Sequence, residues 1–394
     1  MDAGDRQYQP DFASARRVIP PPTPFPDELL TSWLARQNCR VRGRAFKDPR
    51  VVLDRKGRWR LPDIHPPAAW LKAVSLEFGV PRSSLAEITI ARRHPGMPLD
   101  FLAWDPPPFQ TEHETLRPIP RLHVSWCTRC LAEDYAAGQP AYLRRHWVLA
   151  ASGFCHKHKW PLQNRCTGCG CFRWRLSAAA SGPLRMICRG CWRPLERAAS
   201  ETLSADQNAM NCWDHVIELE VAVATALRGR TPDQLRFNFT SAEQLLNEVR
   251  DVCQLLVGHH RSWARTAIPL NSYVCPAMTP GSDPPEFHSS DKLHPMAIAS
   301  MAMRRSMLSA VKGILDPRIE TGRVLFGEHK PPAIETFVAS VDEDALQQNI
   351  EAMKRWSPAF VDRVVVARRG RRRNARIADL ESRIARIGSS LARV

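Results

Sequence analysis

Four pairs of residues with the same spacing lie between positions 127 and 191 of this 394-residue chain. Each pair, here called a knuckle, has two cysteines or a cysteine and a histidine separated by two residues, so both side chains can reach one ion. Two knuckles complete a tetrahedral Zn²⁺ site, and four predict two zinc ions, one held by three cysteines and a histidine and one by four cysteines. Neither site leaves a position for water, so both are expected to be structural. The predicted ligands are Cys127, Cys130, Cys155, His158, Cys166, Cys169, Cys188 and Cys191.

Three other interpretations of the knuckles fit less well. A disulfide framework is unnecessary in a chain of this length that shows no apolar signal segment. An HNH nuclease needs a histidine free beside a hydrated metal, whereas His158 belongs to a knuckle. A RING cross-brace has a very short gap between its second and third pairs, whereas seven residues separate His158 from Cys166, which favours sequential sites. Cys171 and His156 are candidate substitutes for a ligand.

The composition is typical of a soluble globular protein, with 44% hydrophobic and 24% charged residues. The chain starts with a polar, proline-rich segment, and no run of about 18 apolar residues occurs in it. We therefore expect a cytoplasmic protein with no membrane association.

Positive charge is concentrated in two regions of a chain whose net charge is +16. Residues 363–394 carry ten arginines against two acidic residues, and residues 117–197 carry 14 lysines and arginines against three acidic residues. Two separated basic regions predict a phosphate-bearing partner or an acidic protein surface. The candidate nucleic-acid-binding residues are Arg368, Arg369, Arg371, Arg372 and Arg373.

Apolar residues recur mostly at helical spacing, which predicts a mainly α-helical chain. The expected helices cover residues 26–36, 67–78, 81–89, 140–154, 208–230, 241–257, 295–315 and 342–356. Clusters of proline mark candidate linkers. The predicted organisation is a flexible N-terminal segment (1–25), an N-terminal helix-turn-helix domain (26–116), a double zinc-binding module (117–197), a helical segment (198–272), a Pro-rich linker (273–295) and a C-terminal helical domain with a basic tail (296–394).

The segment 67–89 has the sequence pattern of a helix-turn-helix. Gly79 suits the end of the first helix and Pro81 the first turn of the second, although any two packed helices could show the same pattern. The preceding helix, 26–36, places Trp33 on an apolar stripe. We predict Trp33 as a partner-binding anchor if it is exposed and as a core residue if it is not.

The C-terminal segment resembles a basic region followed by a leucine-zipper seam. The apolar seam from Ile377 to Val394 lasts under three heptads, and Gly388 and two serines interrupt it. A final helix that docks on its own domain or on a second copy is therefore favoured. This seam and the apolar helix around Trp33 suggest a homodimer.

No motif predicts catalysis. The chain has no P-loop, and it has no zincin, nucleophile-elbow or dinucleotide-binding motif in a credible context. Its acidic residues are spread along helical faces rather than gathered as a two-metal nuclease or transposase requires. We therefore predict that the chain is not an enzyme.

Two sequence blocks give the chain a resemblance to the TniQ family, whose longer relatives are the TnsD target selectors of bacterial transposons. The first block is PFPDELLTSWLAR, and the second is residues 126–170, in which a knuckle leads to YLRRHW, to CHKH and to a second Cys-x-x-Cys knuckle followed by glycine. The segment FGVPRSSLAEIT also fits the family's helix-turn-helix. The resemblance extends over about residues 25–200.

The resemblance implies a non-catalytic adaptor for DNA transposition, as in CRISPR-associated transposons. Such an adaptor recognises target DNA directly or through a guide-RNA effector complex such as Cascade, and recruits an AAA+ ATPase of the TnsC or TniB type. It also implies sequential zinc sites, the first ending at His158 and the second beginning at Cys166, and a partner surface within residues 20–90. A zinc-dependent DNA-binding transcriptional regulator is the alternative, although a repressor has no evident use for the PDELLTSWLAR block.

Overall fold

The computed structural model describes eleven stretches of the chain: residues 22–40, 52–53, 59–104, 122–178, 183–196, 214–232, 241–258, 294–298, 301–320, 334–352 and 355–391. The described part is mainly helical, with a few short strands. The chain divides into two compact units, Met1–Arg93 and His94–Val394. This division falls inside the segment 26–116 that the sequence suggested as one domain, and most of the predicted linker 273–295 lies outside the described residues.

The described part of the first unit contains four helices and a two-stranded hairpin. Its elements are α1 (Leu30–Arg40), β1 (Val52–Leu53), β2 (Trp59–Arg60), α2 (Ala68–Phe78), α3 (Arg82–Glu87) and α4 (Ile90–Arg93). The expected helices at 26–36, 67–78 and 81–89 are thus confirmed in type, with α1 starting four residues later than predicted. Gly79 ends α2 with a left-handed φ of 62°, which glycine adopts without the steric cost of a Cβ.

The core of the first unit lies between α1, α2 and α3. Trp33 of α1 contacts the edge of Phe78 with ring centroids 5.3 Å apart, and the two rings pack among leucines and valines that are likewise buried. Asp63 accepts hydrogen bonds from the Thr31 backbone N–H (2.8 Å) and hydroxyl (2.6 Å), which holds α1 against the turn before α2. The apolar stripe predicted on the first helix therefore forms core.

The second unit begins with the knuckle region. Its regular elements there are a 3₁₀ turn (Leu99–Phe101), α5 (Thr128–Ala136), a second 3₁₀ turn (Arg145–Val148) and the strands β3 (Phe154–Cys155), β4 (Trp160–Pro161), β5 (Trp174–Ala178) and β6 (Leu184–Cys188). Strands β3 and β4 pair antiparallel, and so do β5 and β6, which places each pair of knuckles at a hairpin.

The predicted helix over 140–154 is wrong. Apart from the 3₁₀ turn, the segment is irregular because its backbone pairs with distant residues: the Ala150 N–H donates to Phe101 O, and Trp147 O accepts from the Ser125 N–H. Leu149 also bridges to Leu102. The apolar side chains of this segment are buried in an irregular chain. The sequence had suggested instead that they form the single apolar face of a helix.

The other described elements of the second unit are helices. They are α6 (Asp214–Leu227), α7 (Ala242–Gly258), α8 (Pro295–Ile298), α9 (Met301–Leu315), α10 (Pro317–Glu320), α11 (Ile334–Ser340), α12 (Glu343–Glu351) and α13 (Pro358–Leu391). Helices α6, α7 and α9 pack on one another, and α13 packs on α11. The expected helix at 208–230 is confirmed from Asp214 to Leu227, and those at 241–257 and 295–315 are confirmed from Ala242 onward and over the described residues respectively. The one at 342–356 ends at Glu351.

The last helix, α13, is packed only near its start. The Ser357 N–H, just before α13, donates to the buried Glu248 carboxyl of α7 at 2.7 Å, and burial raises the pKa of Glu248 to about 7. Phe360, Val364 and Ala367 are buried, whereas every described side chain from position 369 to 385 is exposed. The described side chains of α13 from position 373 to 385 therefore lie in solvent rather than docking on their own domain.

Candidate metal centres

The first quartet joins two segments of the second unit. Cys127 caps the start of α5, Cys130 lies in the first turn of α5, Cys155 ends β3, and His158 lies in the turn that leads to β4. Their three sulfur atoms and one ring nitrogen all lie within 4.8 Å of one another. The structure therefore brings together the three cysteines and the histidine that the resemblance assigned to the first site.

The distances in the first quartet match a tetrahedral zinc site. With Zn–S bonds of about 2.3 Å and Zn–N bonds of about 2.0 Å, a tetrahedron separates sulfurs by about 3.8 Å and sulfur from nitrogen by about 3.5 Å. The Cys130 and Cys155 sulfurs are 3.6 Å apart. The Nδ1 atom of His158 lies 3.5, 3.3 and 3.6 Å from the sulfurs of Cys127, Cys130 and Cys155. The quartet fits Zn²⁺ without rearrangement.

Glu133 orients the histidine of the first quartet. Its Oε1 lies 2.7 Å from His158 Nε2, and its Oε2 accepts from Lys157 Nζ at 2.5 Å. Hydrogen bonds from Lys157 and His158 lower the pKa of Glu133, so it is a carboxylate at neutral pH. A carboxylate on Nε2 leaves Nδ1 as the free lone pair that faces the three sulfurs, an arrangement common around zinc-bound histidines.

The thiols of the first quartet titrate as a group. Hydrogen bonds from Cys127 and Cys130 lower the pKa of Cys155, whereas the neighbouring sulfurs of Cys127 and Cys155 and burial raise the pKa of Cys130. In the absence of a cation, the three clustered sulfurs therefore oppose ionisation of one another. A divalent cation removes that repulsion, because each bound sulfur is then stabilised as a thiolate.

A buried carboxylate ties the first quartet to the helices. Glu220 of α6 accepts hydrogen bonds from the backbone N–H groups of Gly153 (2.8 Å) and Phe154 (3.2 Å), immediately before the ligand Cys155. Arg305 of α9 donates to Leu162 O at 3.0 Å, on the other side of the same hairpin. The β3–β4 hairpin is thus fixed from two helices, which the sequence spacing could not reveal.

The second quartet is built from two turns and a hairpin. Cys166 and Cys169 precede β5, Cys188 ends β6, and Cys191 follows in the next turn. The sulfurs of Cys166 and Cys191 are 3.6 Å apart, and those of Cys169 and Cys188 are 3.5 Å apart. All four sulfurs lie within 4.8 Å of one another, which again fits a tetrahedral Zn²⁺ site.

The second quartet lies nearer the surface than the first. Cys169 is exposed and Cys191 half-buried. Burial opposes ionisation of Cys188, but backbone N–H groups of Cys191 and Gly190 outweigh it and lower the pKa of this thiol to about 6. A thiol that is already ionised at neutral pH is a ready ligand for a cation.

The candidate substitute ligands lie outside both quartets. Cys171 accepts a hydrogen bond from the Arg173 N–H at 3.4 Å, and His156 lies with Nε2 3.4 Å from Glu220 Oε2. Among the residues that the structure describes, these two quartets are the only groups of three or more metal-ligand side chains. The eight ligands predicted from spacing are therefore the eight that the fold assembles.

The residues predicted to contact a partner or nucleic acid differ in how exposed they are. Trp33 is completely buried and donates from its indole to Pro22 O at 2.9 Å, so the predicted partner anchor is instead a core residue. Arg368 and Arg372 pair with Glu343 of α12, and Arg371 donates to Val338 O at 2.8 Å. Arg369 and Arg373 are exposed.

The polar residues of the PDELLTSWLAR block are also occupied within the first unit. Arg36 Nη2 lies 2.5 Å from the buried Glu28 carboxylate, and the Ser32 hydroxyl donates to the same side chain at 3.0 Å. Burial raises the pKa of Glu28, and the hydrogen bonds from Arg36 oppose that rise. Much of this block therefore stabilises the first unit from inside.

The region that contains this block and the first quartet is similar to a known protein family. Residues 20–162 match the TniQ family model. The TniQ resemblance predicted from the sequence is confirmed over this region, which is less than half of the chain. The second quartet lies beyond its end. A search of curated proteins gives no match to the chain. No helix in the described residues has the length and apolar character needed to cross a membrane.

Proposed function

We propose that the chain is a non-catalytic adaptor that links target recognition in DNA transposition to recruitment of an AAA+ ATPase of the TnsC or TniB type. The TniQ match over residues 20–162 carries the proposal. Target recognition proceeds through a guide-RNA effector complex such as Cascade or by direct contact with target DNA.

The two quartets support a structural rather than a chemical role for metal. Each offers four protein ligands, which fill the tetrahedral coordination of Zn²⁺ and leave no position for a substrate or an activated water. Two zinc ions bound in this way stabilise the surfaces that surround them. The chain is accordingly proposed to perform no catalysis of its own.

The basic tail supports electrostatic contact with nucleic acid. Arg369 and Arg373 are exposed on α13, and Arg372 stays 68% exposed although it pairs with Glu343. Arg368, with 15% exposure, is largely occupied by Glu343. We therefore assign the phosphate contacts of the tail mainly to Arg369 and Arg373, with a weaker contribution from Arg372.

The first unit supplies the proposed surface for the ATPase. Because Trp33 is core, we turn to Leu76 on α2, which is 74% exposed and is the large exposed apolar side chain among the described residues of this unit. Next to α2, the start of α3 exposes Arg82 and Ser83. We place the ATPase contact at Leu76 with these polar side chains around it, because interfaces combine an apolar centre with a polar rim.

The recruitment proposal predicts that Leu76→Asp weakens retention of a cognate AAA+ ATPase of the TnsC or TniB type by about tenfold or more, because a charge enters an apolar contact. Pull-down with purified full-length proteins measures it. The matched control is Leu99→Asp, a 56% exposed leucine of the second unit, which should leave recruitment unchanged.

Two results would contradict this proposal in different ways. If Leu76→Asp and the wild type retain the ATPase equally, the proposed contact surface does not lie in the first unit. The adaptor role would still hold in that case. If the wild-type protein retains no ATPase and instead represses a promoter, the zinc-dependent transcriptional regulator is the correct function.

The proposal includes a homodimer. Ile377, Leu380 and Ile384 form an apolar stripe on the projecting half of α13 and are 44%, 56% and 64% exposed. Contact between two such stripes buries apolar area and is not screened by salt. Light scattering at micromolar concentration in high salt should give twice 44.6 kDa for the wild type and 44.6 kDa for Leu380→Asp. A wild-type protein that scatters as a 44.6 kDa species would exclude this dimer.

A further inference from the structure

Large aromatic side chains are exposed around the second quartet. Trp192 is 58% exposed and directly follows the ligand Cys191, and Phe172 is 56% exposed in the turn before β5. Neither ring contributes to the buried core of its unit. Two exposed aromatic rings beside one hairpin offer flat apolar faces that a ligand can cover.

Backbone hydrogen bonds bring the two aromatic turns together. The Arg189 N–H donates to Arg173 O at 2.9 Å, which joins the residue after Phe172 to the turn before Trp192. A Cβ at Gly190 would lie 3.0 Å from the Cβ of Cys171, so these turns are in close contact. Phe172 and Trp192 therefore flank the same end of the β5–β6 hairpin.

The backbone at Trp192 is in a conformation that does not suit tryptophan. Its φ is +63°, in the left-handed region that glycine adopts readily and bulky residues rarely do. The equivalent position in the preceding knuckle, directly after Cys169, is Gly170 with a φ of +70°. A glycine would therefore fit the same turn without strain. Lys159 occupies the equivalent position after His158 with a φ of 49°, so the turn also accepts a side chain. The positive φ of Trp192, together with the exposure of its ring, therefore points to a role outside the fold.

The hairpin and its turns carry positive charge alone. Residues 163–195 contain six arginines and no acidic residue. Arg185 pairs with Glu196, but the other five arginines are exposed, and no described carboxylate forms an ion pair with them. Arg175 lies over the Trp192 ring at 4.1 Å from its centroid. The segment remains net positive after four thiolates and a divalent cation are counted.

We propose that this end of the hairpin is a binding site for single-stranded nucleic acid, and we call it the ribbon surface. Unpaired bases stack on Trp192 and Phe172, and the guanidinium groups contact the phosphates. The inference deepens the proposed adaptor function and rests on it for its biological setting. The ribbon surface consists of Phe172, Arg173, Arg175, Arg189, Trp192 and Arg193.

The chemistry favours a single strand over a duplex or an acidic protein. In a duplex the faces of the bases are stacked on one another, whereas unpaired bases offer their faces to aromatic side chains regardless of sequence. An acidic protein surface would pair with the arginines, but the carboxylates that give it its charge are repelled by the electron-rich faces of the two exposed rings. Arginine beside an exposed aromatic ring is also the combination that single-strand grooves use.

Fluorescence anisotropy of labelled 12-nucleotide dT and rU strands, with a 12-base-pair duplex for comparison, tests the proposal on the full-length protein. Trp192→Gly should weaken single-strand binding by about tenfold or more, because one stacked base is lost. Phe172→Ala should act in the same direction. Arg175→Gln should lower the slope of log affinity against log salt by about 0.7 for a lost phosphate contact.

Tyr135→Ala is the matched control. Tyr135 is also an exposed aromatic with an arginine over its ring, Arg185 at 4.1 Å, but that arginine is neutralised by Glu196. The control should leave affinity unchanged. Because glycine fits the left-handed turn, Trp192→Gly should unfold at the same or a higher temperature than the wild type, which separates lost binding from lost folding.

The outcomes decide the proposal one way or the other. Binding of either strand that depends on Trp192 supports it, and a preference for rU over dT identifies the ligand as RNA. Unchanged affinity in Trp192→Gly, equal weakening of the duplex, or no single-strand binding by the wild type overturns it. ATPase pull-down with Trp192→Gly separates the two proposals. If this variant still retains the ATPase, the adaptor role is supported even when the single-strand binding site is not.

Discussion

The two Cys/His quartets have similar ligand chemistry and different surroundings. The first has three buried cysteines, and Glu133 and Glu220 lie around its histidine and its hairpin. The second has an exposed and a half-buried cysteine and is surrounded by arginines and aromatic rings. A closed metal site can thus serve as part of a core or as the base of a presented surface, and the residues around the ligands decide which.

The difference follows from what each quartet connects. The first joins α5 to a hairpin held by helices more than sixty residues further along the chain, through Glu220 and Arg305. The second closes a local segment, from Cys166 to Cys191, on a two-stranded hairpin. Loss of a long-range connection affects the whole unit, whereas loss of a local one affects mainly its own loop.

The largest expected effect separates the quartets by their ligands. Cys130→Ser and Cys169→Ser should each reduce bound zinc from two equivalents to about one, measured by elemental analysis. Cys130→Ser should also abolish cooperative unfolding of the second unit, because structural zinc contributes about 10 kcal/mol or more, comparable with the stability of a domain. Cys169→Ser should retain the helical circular dichroism and the main thermal transition.

Similar collapse of both variants would show that the second quartet also supports the helical core, and the contrast between the two would then be wrong. The buried Cys253, a thiol outside both quartets, is the control. Its replacement by alanine should leave two zinc equivalents in place.

A smaller effect on stability is expected when a glycine beside each quartet is replaced by alanine. A Cβ at Gly153 would lie 2.6 Å from Arg305 Cγ and 3.1 Å from Glu220 Oε1. Gly153→Ala should therefore cost about 1–3 kcal/mol of unfolding free energy, as overpacking does. A Cβ at Gly168 would meet the movable end of Arg193 at 3.4 Å, and Gly168→Ala should change stability by less than about 0.5 kcal/mol.

Thermal unfolding of the two alanine variants measures this difference. An equal loss at both glycines would mean that the second quartet is as tightly packed as the first. If neither variant loses stability, the side chains of Glu220 and Arg305 move aside at little cost. The β3–β4 hairpin would then be held less firmly than its hydrogen bonds indicate.

The ligand sets were predictable because their signal is local. A gap of two residues places both side chains of a knuckle on one turn regardless of the rest of the fold. The stripe that contains Leu30, Trp33 and Leu34 was equally readable, since helical periodicity directs these side chains to one side of α1. Gly79 likewise predicted the left-handed end of α2.

The errors and omissions depend on tertiary contacts. The segment 140–154 has helical composition, but its backbone groups pair with residues 101 and 125, and local propensity could not show this. In the sequence, Glu220 looks like an ordinary acidic residue of a helix. Only the fold shows that its carboxylate accepts a hydrogen bond from the Gly153 N–H. The left-handed turn at Trp192 could have been suspected, because Gly170 occupies the equivalent position after the previous knuckle.

The projecting half of α13 has a consequence for reach. Twenty-four residues separate Ala367, the last buried side chain described in the helix, from its end at Leu391. At 1.5 Å per residue, the tip lies about 36 Å from that point. This distance is several times the Debye length of about 8 Å in physiological salt. Charges at the tip and at the base of α13 are therefore electrostatically independent, and a partner held at the tip gains nothing from the field at the base.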